Sequence, residues 1–426
     1  MFEKLVIHGG TPLSGTLKIG GSKNSALPIL CAATLISDEN TIQNCPDISD
    51  VQNTLQIIEH LGGNCSFSNN IAKIDCKGLS GTEIPAQYMD KLRSSVLFMG
   101  ALLARFGKAT LSYPGGCAIG KRAIDFHLDA FRRLGAKVEE SGGRITCTAE
   151  NGLIGADIKL TFPSVGATEN ILLAATAAKG TTVIHGAARE PEVIDLIHFL
   201  NSSGMQISGE GTSRITIHGT DRLRGITHRV IPDRIVAATY ICAITATRGK
   251  ATLTHVNTDH FGPIIKVLKK AGVIIRPLSK SVLYINAQKP IAGFGKIKTA
   301  PHPKFPTDMA PCLMATSLLC TCGRAWPRGK TTFVETIFEN RFMHVPQLLK
   351  TSAIIKTQRK KAAVTGVSQL SPAMMECTDL RGGAAAVVAA LAAKGTSEIT
   401  NLSHIYRGYE DIVRDIKMLG GNIGLV

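Results

Sequence analysis

The sequence predicts an α/β fold of two domains, assembled from six βαβαββ-like repeats, three per domain, around buried helices. Three observations carry this. One pattern recurs six times at a period of roughly 70 residues, longer than most solenoid units. Each copy contains two helices of different kind, one apolar nearly all round and one apolar on a single face. The two ends of the chain are incomplete in complementary ways: the last repeat lacks its hairpin, and two strand-like runs precede the first.

Each repeat opens with the apolar helix, at residues 26–36, 95–104, 170–178, 235–247, 309–320 and 383–393. A helix apolar on all sides is buried on all sides. A short turn follows, often with Gly, as in Lys179-Gly180-Thr181, Arg248-Gly249-Lys250 and Lys394-Gly395-Thr396. Next come β-rich runs at 41–43, 109–111, 182–184, 251–253, 332–334 and 398–400. The amphipathic helices lie at 50–60, 123–134, 192–201, 261–270, 342–350 and 409–419. Ile194, Leu196, Ile197 and Leu200 make the apolar face of the third. Five of these helices run into a glycine, Gly62, Gly135, Gly204, Gly272 or Gly420, the residue that most easily takes the left-handed stop. A pair of alternating runs, such as 137–140 with 144–148, closes each unit.

Six buried helices exceed what one core holds, so two cores of three are expected. The sixth repeat ends at 421–426 with no room for a hairpin, and the runs 4–8 and 16–19 are left over at the start. The N-terminus is therefore expected to complete the last unit. One domain is then contiguous, 22–231, and the other is 1–21 plus 232–426, with two chain crossings near 21 and 231 acting as a hinge.

The totals narrow the function. The hydrophobic fraction of 44% is ordinary for a globular chain, and the formal net charge is +16. The basic residues are scattered and aromatics make up only 5%, which favours acidic small substrates in a positive cleft over specific nucleic-acid binding. Eleven cysteines at irregular spacing, mostly in apolar runs, suit reduced core thiols of a cytoplasmic protein. The first residues are not patterned as a signal peptide, and no apolar run reaches the roughly 18 residues that span a bilayer. A homo-oligomer is left open.

Several apolar helices are preceded by a polar or charged residue: Lys23, Arg93, Arg234, Asp308 and Arg381, with Ser164-Val165-Gly166-Ala167-Thr168 before the third. Helix N-termini attract anions, and three such ends in each domain would make a strongly positive cleft. Read singly, each is equally a surface cap, and Asp308 in Pro306-Thr307-Asp308-Met309 can be an N-cap or a general base. Tyr113-Pro114-Gly115-Gly116-Cys117-Ala118-Ile119-Gly120-Lys121-Arg122 suits neither helix nor strand. It reads as a mobile surface loop whose thiol, beside Lys121 and Arg122, is more easily ionised than a buried one, or as a glycine-rich connector with an incidental cysteine. The spacing of Gly15 and Gly20 mimics a P-loop, but Gly21 stands where Lys is required. Cys320 and Cys322 lack a second pair at zinc spacing, and neither His127 nor His404 reads as a ligand.

The chain resembles, essentially end to end, the enolpyruvyl transferase family, and within it the UDP-N-acetylglucosamine 1-carboxyvinyltransferases. The motifs that carry this are Gly21-Ser22-Lys23-Asn24-Ser25-Ala26-Leu27-Pro28, the Cys117 loop through Arg122, and Ser164 to Thr168. Further along stand Ala188-Arg189-Glu190-Pro191-Glu192, Pro232-Asp233-Arg234, Phe305-Pro306-Thr307-Asp308, Glu339-Asn340-Arg341-Phe342-Met343-His344, Asp379-Leu380-Arg381 and Arg407-Gly408-Tyr409. The resemblance implies a two-domain inside-out α/β barrel. It implies transfer of the enolpyruvyl group of phosphoenolpyruvate to the 3′-OH of UDP-N-acetylglucosamine with release of phosphate, opening peptidoglycan synthesis, without metal or organic cofactor.

By motif, Lys23, Arg122 and Arg407 would hold phosphoenolpyruvate. Asn24 and Asp308 would contact the sugar, with Asp308 taking the 3′-OH proton. Arg93 and the run Arg122, Ala123, Ile124, Asp125 and Phe126, with Ser164 and Val165, would bind the uridine diphosphate part. Ile337 would lie near the sugar, Arg341 and Arg381 would line the cleft, and Cys117 would be the acid on a lid, the residue that the epoxide fosfomycin alkylates. Two departures from the family pattern stand out. The turn 322–329, with the only Trp, is longer than its five counterparts and lies upstream of Arg341, and Val236 follows Asp233-Arg234-Ile235 where the family has Glu. The competing expectations are a synthase acting on a phosphorylated shikimate ring, which lacks the Cys117 loop motif, a catalytically silent nucleotide-sugar-binding paralogue, and a basic nucleic-acid scaffold.

Overall fold

A computed structural model describes residues 3–89, 92–113, 124–321 and 329–426, and of Arg93 the backbone alone. Among these residues the strands form six four-stranded sheets with one plan. A central strand follows each apolar helix. It pairs in parallel with an edge strand and antiparallel with a second strand, which carries the fourth on its far side. In the third repeat Thr181–His185 pairs in parallel with Asp157–Lys159 and antiparallel with Arg214–His218, which carries Gln206–Ser208 on its far side. Thr182 and Ile184 point into the core while their neighbours face outward, the period-2 pattern of a half-buried strand.

Contacts divide the chain, apart from residues 114–123, into residues 1–20 with 232–426 and residues 21–231. Each unit has its own apolar core. In residues 21–231 the sheet of the first repeat is completed by Thr227–Arg229, which pairs in parallel with Asn40–Gln43. In the other unit the N-terminal runs do not stay together as a hairpin. Leu5–Gly9 inserts between Gly395–Thr400 and Asn422–Leu425, completing the last repeat. Ser14–Lys18 pairs instead with Lys250–Thr254, as the parallel edge of the fourth repeat's sheet.

The helices Lys23–Ala33, Phe98–Phe106, Val165–Ala175, Arg234–Ala246, Ala310–Ser317 and Leu380–Ala392 are buried along nearly their whole length. Small residues let them approach closely: a Cβ on Gly100 would stand 2.3 Å from Asn170 Oδ1. The Asn170 amide fills that contact, accepting from Gly100 N at 2.8 Å and donating to the Val96 carbonyl at 2.9 Å.

Boundaries depart from expectation where local chemistry intervenes. The third helix starts at Val165, not 170, because Ser164 caps it, its Oγ accepting from Ala167 N. The second and fifth begin as 3-10 turns, Arg93–Leu97 and Thr307–Met309. Gly62, Gly135, Gly204, Gly272 and Gly420 all have φ between 74 and 117°, the left-handed stop that their positions call for. The strand Lys330–Val334, just after the long turn, keeps the register of its counterparts, parallel to Gly295–Lys298 and antiparallel to Lys361–Thr365. Among the described residues no helix is long and apolar enough to cross a membrane.

Candidate active site

In residues 21–231 the candidate residues gather at helix starts. Lys23 is the first residue of its helix, after Ser22 at the cap position, and is buried. Its Nζ forms an ion pair with Asp50, itself buried in the first turn of the helix Ser49–His60. Asn24 follows, half-buried. Pro28, one turn on, has no N–H to give the Asn24 carbonyl. Ser25 donates to the buried Asp195, which also accepts from Ile231 N at 3.2 Å and pairs with His228 Nε2 at 3.0 Å. This carboxylate fixes the Lys23–Asn24 turn against the last strand of the unit and the chain just after it.

Ser164 and Val165 form the N-terminus of the third buried helix and are half-buried. His127 lies against Gly166 and its Nδ1 meets the Asn170 amide at 2.8 Å, so this histidine packs the helix start. Ile124 is buried, Phe126 half-buried, and Asp125 exposed at the first position of the helix Asp125–Arg133. Arg93 opens its 3-10 turn. Cys117, Arg122 and Ala123 lie outside the described residues.

In the other unit three sequence-predicted residues meet directly. Arg341 is 2% exposed yet fully engaged. It donates to the Thr307 carbonyl through Nε and Nη2, at 3.3 and 3.1 Å, and to Asp308 Oδ1 through Nη2 at 2.7 Å. Its guanidinium lies over the Phe338 ring, and Nη1 stands 3.9 Å from Asp379. Arg381 Nε approaches the same Asp308 oxygen at 3.7 Å. Burial alone would lower the Arg381 guanidinium, but Asp308, Tyr409 and Asp233 outweigh it and hold it above its ordinary value. The Asp308 side chain keeps 32% exposure. It does not stand at the cap position of its 3-10 turn, which Pro306 holds, and its carboxylate faces two guanidiniums. Arg341, downstream of the longer segment 322–329, holds this contact.

Asp379 and Glu335 complete the group, and neither was singled out from sequence. Asp379 caps the helix Leu380–Ala392, accepting from Arg381 N and Gly382 N at 3.0 and 3.1 Å. The only advance signal for it was its place in the Asp379-Leu380-Arg381 motif; Asp50 had none beyond an acidic first turn. Ile337 is half-buried, its N–H accepted by Glu335. Arg407 is half-buried near His404, whose pKa is lowered by burial and by the Arg407 charge. Val236 takes a place in the next helix's cap, donating its N–H to Asp233 Oδ1 at 2.8 Å.

The chemistry open to this arrangement is that of a partly exposed carboxylate held by two cations. Such a carboxylate can accept a proton from a hydroxyl presented to it, while buried cations stabilise negative charge nearby.

The family model described as EPSP synthase (3-phosphoshikimate 1-carboxyvinyltransferase) matches residues 7–416. The chain is 44% identical over 423 residues to the UDP-N-acetylglucosamine 1-carboxyvinyltransferase of Finegoldia magna, covering 99% of this chain and 98% of the relative. It is 42% identical over 420 residues to UDP-N-acetylglucosamine 1-carboxyvinyltransferase 2 of Caldanaerobacter subterraneus subsp. tengcongensis, covering 99% of each. Among solved structures it is similar to the enolpyruvyl transferase NikO from Streptomyces tendae, with TM-score 0.89, 25% identity, and 100% and 99% of the two chains covered. An EPSP synthase from Acinetobacter baumannii shares the fold, with TM-score 0.77 at 16% identity and full coverage of both chains.

Proposed function

Since the chain belongs to the enolpyruvyl transferase family and has its two-domain α/β fold, we propose how its own residues carry the family's reaction. The chain transfers the enolpyruvyl group of phosphoenolpyruvate to the 3′-OH of UDP-N-acetylglucosamine and releases phosphate, a step of peptidoglycan synthesis. The observation that carries this choice of acceptor is the 42–44% identity, over nearly the whole chain, to relatives named for it.

In our reading Lys23, Arg122 and Arg407 hold the phosphoenolpyruvate, each as a charge-assisted contact to phosphate or carboxylate. Asn24 contacts the sugar. Arg93, the run from Arg122 to Phe126, Ser164 and Val165 take the uridine diphosphate part, and Ile337 packs beside the sugar. Asp308 accepts the 3′-OH proton as that oxygen bonds to C2, and Cys117 gives a proton to C3. Reversal of the C3 proton transfer then expels phosphate from C2 and restores the double bond. The clamp of Arg341 and Arg381 on Asp308 supports this role, because it fixes the carboxylate's direction while the side chain keeps 32% exposure. Each proton transfer is worth roughly 10²–10⁴-fold. The work of the chain is cytoplasmic in this reading.

The test is phosphate release with phosphoenolpyruvate and UDP-N-acetylglucosamine, run beside shikimate 3-phosphate. Release with the nucleotide sugar alone is expected. Release with shikimate 3-phosphate alone, or with neither, refutes the reading.

A further inference from the structure

We propose that Glu335 is a positioning residue that sets where Asp308 stands relative to the loop at Ile337. Glu335 follows directly on the strand Lys330–Val334 and is 2% exposed. Its Oε1 accepts two backbone N–H groups, Ile337 at 2.6 Å and Phe338 at 3.1 Å. Its Oε2 accepts the Thr307 hydroxyl at 2.8 Å. One carboxylate thus folds residues 336–338 into a turn and ties that turn to the residue before Asp308.

The tie is relayed onward. Thr307 gives its carbonyl to the Arg341 guanidinium, and the same guanidinium holds Asp308 Oδ1 at 2.7 Å. A second strap runs parallel: Thr336 donates its hydroxyl to the Thr299 carbonyl at 2.6 Å, and its N–H to Thr299 Oγ1 at 3.0 Å. Glu335 bonds to neither Asp308 nor Arg341, so it acts through Thr307. A buried carboxylate with three donors aimed at it is fixed in direction, and removing it would strand two N–H groups and a hydroxyl. Hydrogen bonds to an ionised acceptor are also the strong ones, so this is a stiff support for a group whose placement within an ångström matters to rate.

The inference rests on Asp308 as the proton acceptor, and the experiment separates the two. Steady-state kinetics with both substrates are measured for Glu335→Ala, Glu335→Gln, Thr307→Val, the Glu335→Ala/Thr307→Val pair, and Asp308→Asn, with circular-dichroism melting of each. Glu335→Ala is expected to lower kcat by about 10–100-fold with KM for the nucleotide sugar changed less than threefold. Glu335→Gln keeps an oxygen for the two N–H groups and offers its NH₂ to Thr307 Oγ1, so kcat returns to within about threefold of the parent. Thr307→Val cuts only the hydroxyl link, lowers kcat by about tenfold, and adds nothing to Glu335→Ala in the double variant, since both break one chain of contacts. Thr307→Val keeps the test alive if Glu335→Ala fails to fold. Additive losses, a Gln variant no better than Ala, or kcat within threefold of the parent for Thr307→Val overturns the positioning role. An inactive Asp308→Asn beside an unaffected Thr307→Val overturns positioning alone, and an Asp308→Asn enzyme with normal kcat overturns the proton-acceptor reading and the route through Asp308.

Discussion

Lowering the pH below neutrality is expected to destabilise the unit that contains Asp308 through one histidine. His344 is 1% exposed, in the Glu339 to His344 motif. Its Nδ1 lies 3.1 Å from the Arg341 carbonyl. A carbonyl only accepts, so Nδ1 carries the hydrogen and Nε2 the lone pair. Nε2 is buried without a hydrogen-bond partner among the described residues. A proton placed there finds no acceptor, and burial, then the Arg341 charge, outweigh Asp379 to lower the His344 pKa from 6.5 to about 4. The folded pKa is thus below the unfolded one. As pH falls through about 6.5 the unfolded chain takes the proton first, so stability is complete above that pH and is lost progressively down to about 4. At 1.36 kcal/mol per pKa unit the full loss is about 3 kcal/mol, of which about 2 kcal/mol is gone by pH 5. For a domain of this size each kcal/mol is roughly 2–4 °C in Tm. Urea unfolding of the parent and of His344→Asn, at pH 7.5 and pH 5, isolates the term, because every other group titrates in both. Asn puts an amide N–H close to the place of Nδ1 and has no proton to gain. The parent is expected to lose about 2 kcal/mol more than the variant between the two pH values. Parallel losses in parent and variant would refute the reasoning.

Lys23→Ala and Arg407→Ala should each weaken phosphoenolpyruvate use by at least tens-fold with the fold intact, as each removes a charge-assisted contact, and parent-like kinetics in both would sink the assignment. Cys117 should be the thiol alkylated first, read by peptide mass mapping after brief treatment. Burial pushes Cys65 and Cys147 up to about 12 and Cys76 and Cys312 to about 11, so these stay protonated and slow. Label mainly on another cysteine counts against it. Cys117→Asp should keep turnover and resist fosfomycin, whereas Cys117→Ser should lose most turnover; an active Cys117→Ala enzyme would end the lid-acid role.

The repeat was legible because its marks are local. A helix apolar on every side announces burial, and a glycine after an amphipathic helix announces a stop, as the positive φ of Gly204 and Gly272 bears out. What resisted reading was pairing over distance. The run 14–18 looks the same whether it joins the run 4–8 in a hairpin or the sheet of Lys250–Thr254; only the assembled unit selects the second. The cations at helix starts were visible, but their counter-ions were not. Asp50 and Asp379 sit where acids routinely cap helices or sweeten their first turns, so nothing in the local pattern sets them apart from ordinary caps. Glu335 was quieter still, a single acid after a strand, whose meaning depends on Thr307 arriving from another segment. Asp308 was left between cap and base by sequence; in the fold Pro306 holds the cap position and two guanidiniums stand on the Asp308 carboxylate.

The charge count around Asp308 gives the proposed mechanism its electrostatic logic. Arg341 and Arg381 bring two positive charges, and the carboxylates paired with them, Asp308 and Asp379, bring two negative ones, with Asp233 and Glu335 close by, so both guanidiniums are compensated before reaction. Such a balance is what makes a buried guanidinium tolerable: Arg341 at 2% exposure would otherwise carry an uncompensated charge. When Asp308 takes a proton the group loses one negative charge, with Arg381 held in its charged form by its surroundings. That gain in positive potential comes as the reaction's own proton moves, without any side chain having to travel. A nearby phosphate leaving group would meet it at the moment its own negative charge grows, and preorganised charge of this kind is worth more than charge recruited from solvent. The same logic sets the order of damage among substitutions. Removing Arg341 leaves Asp308 with Arg381 at 3.7 Å and strands the Thr307 carbonyl, whereas Asp308→Asn keeps both guanidiniums but removes the site's capacity to shed a negative charge during reaction. The first should cost stability as well as rate, and the second mainly rate.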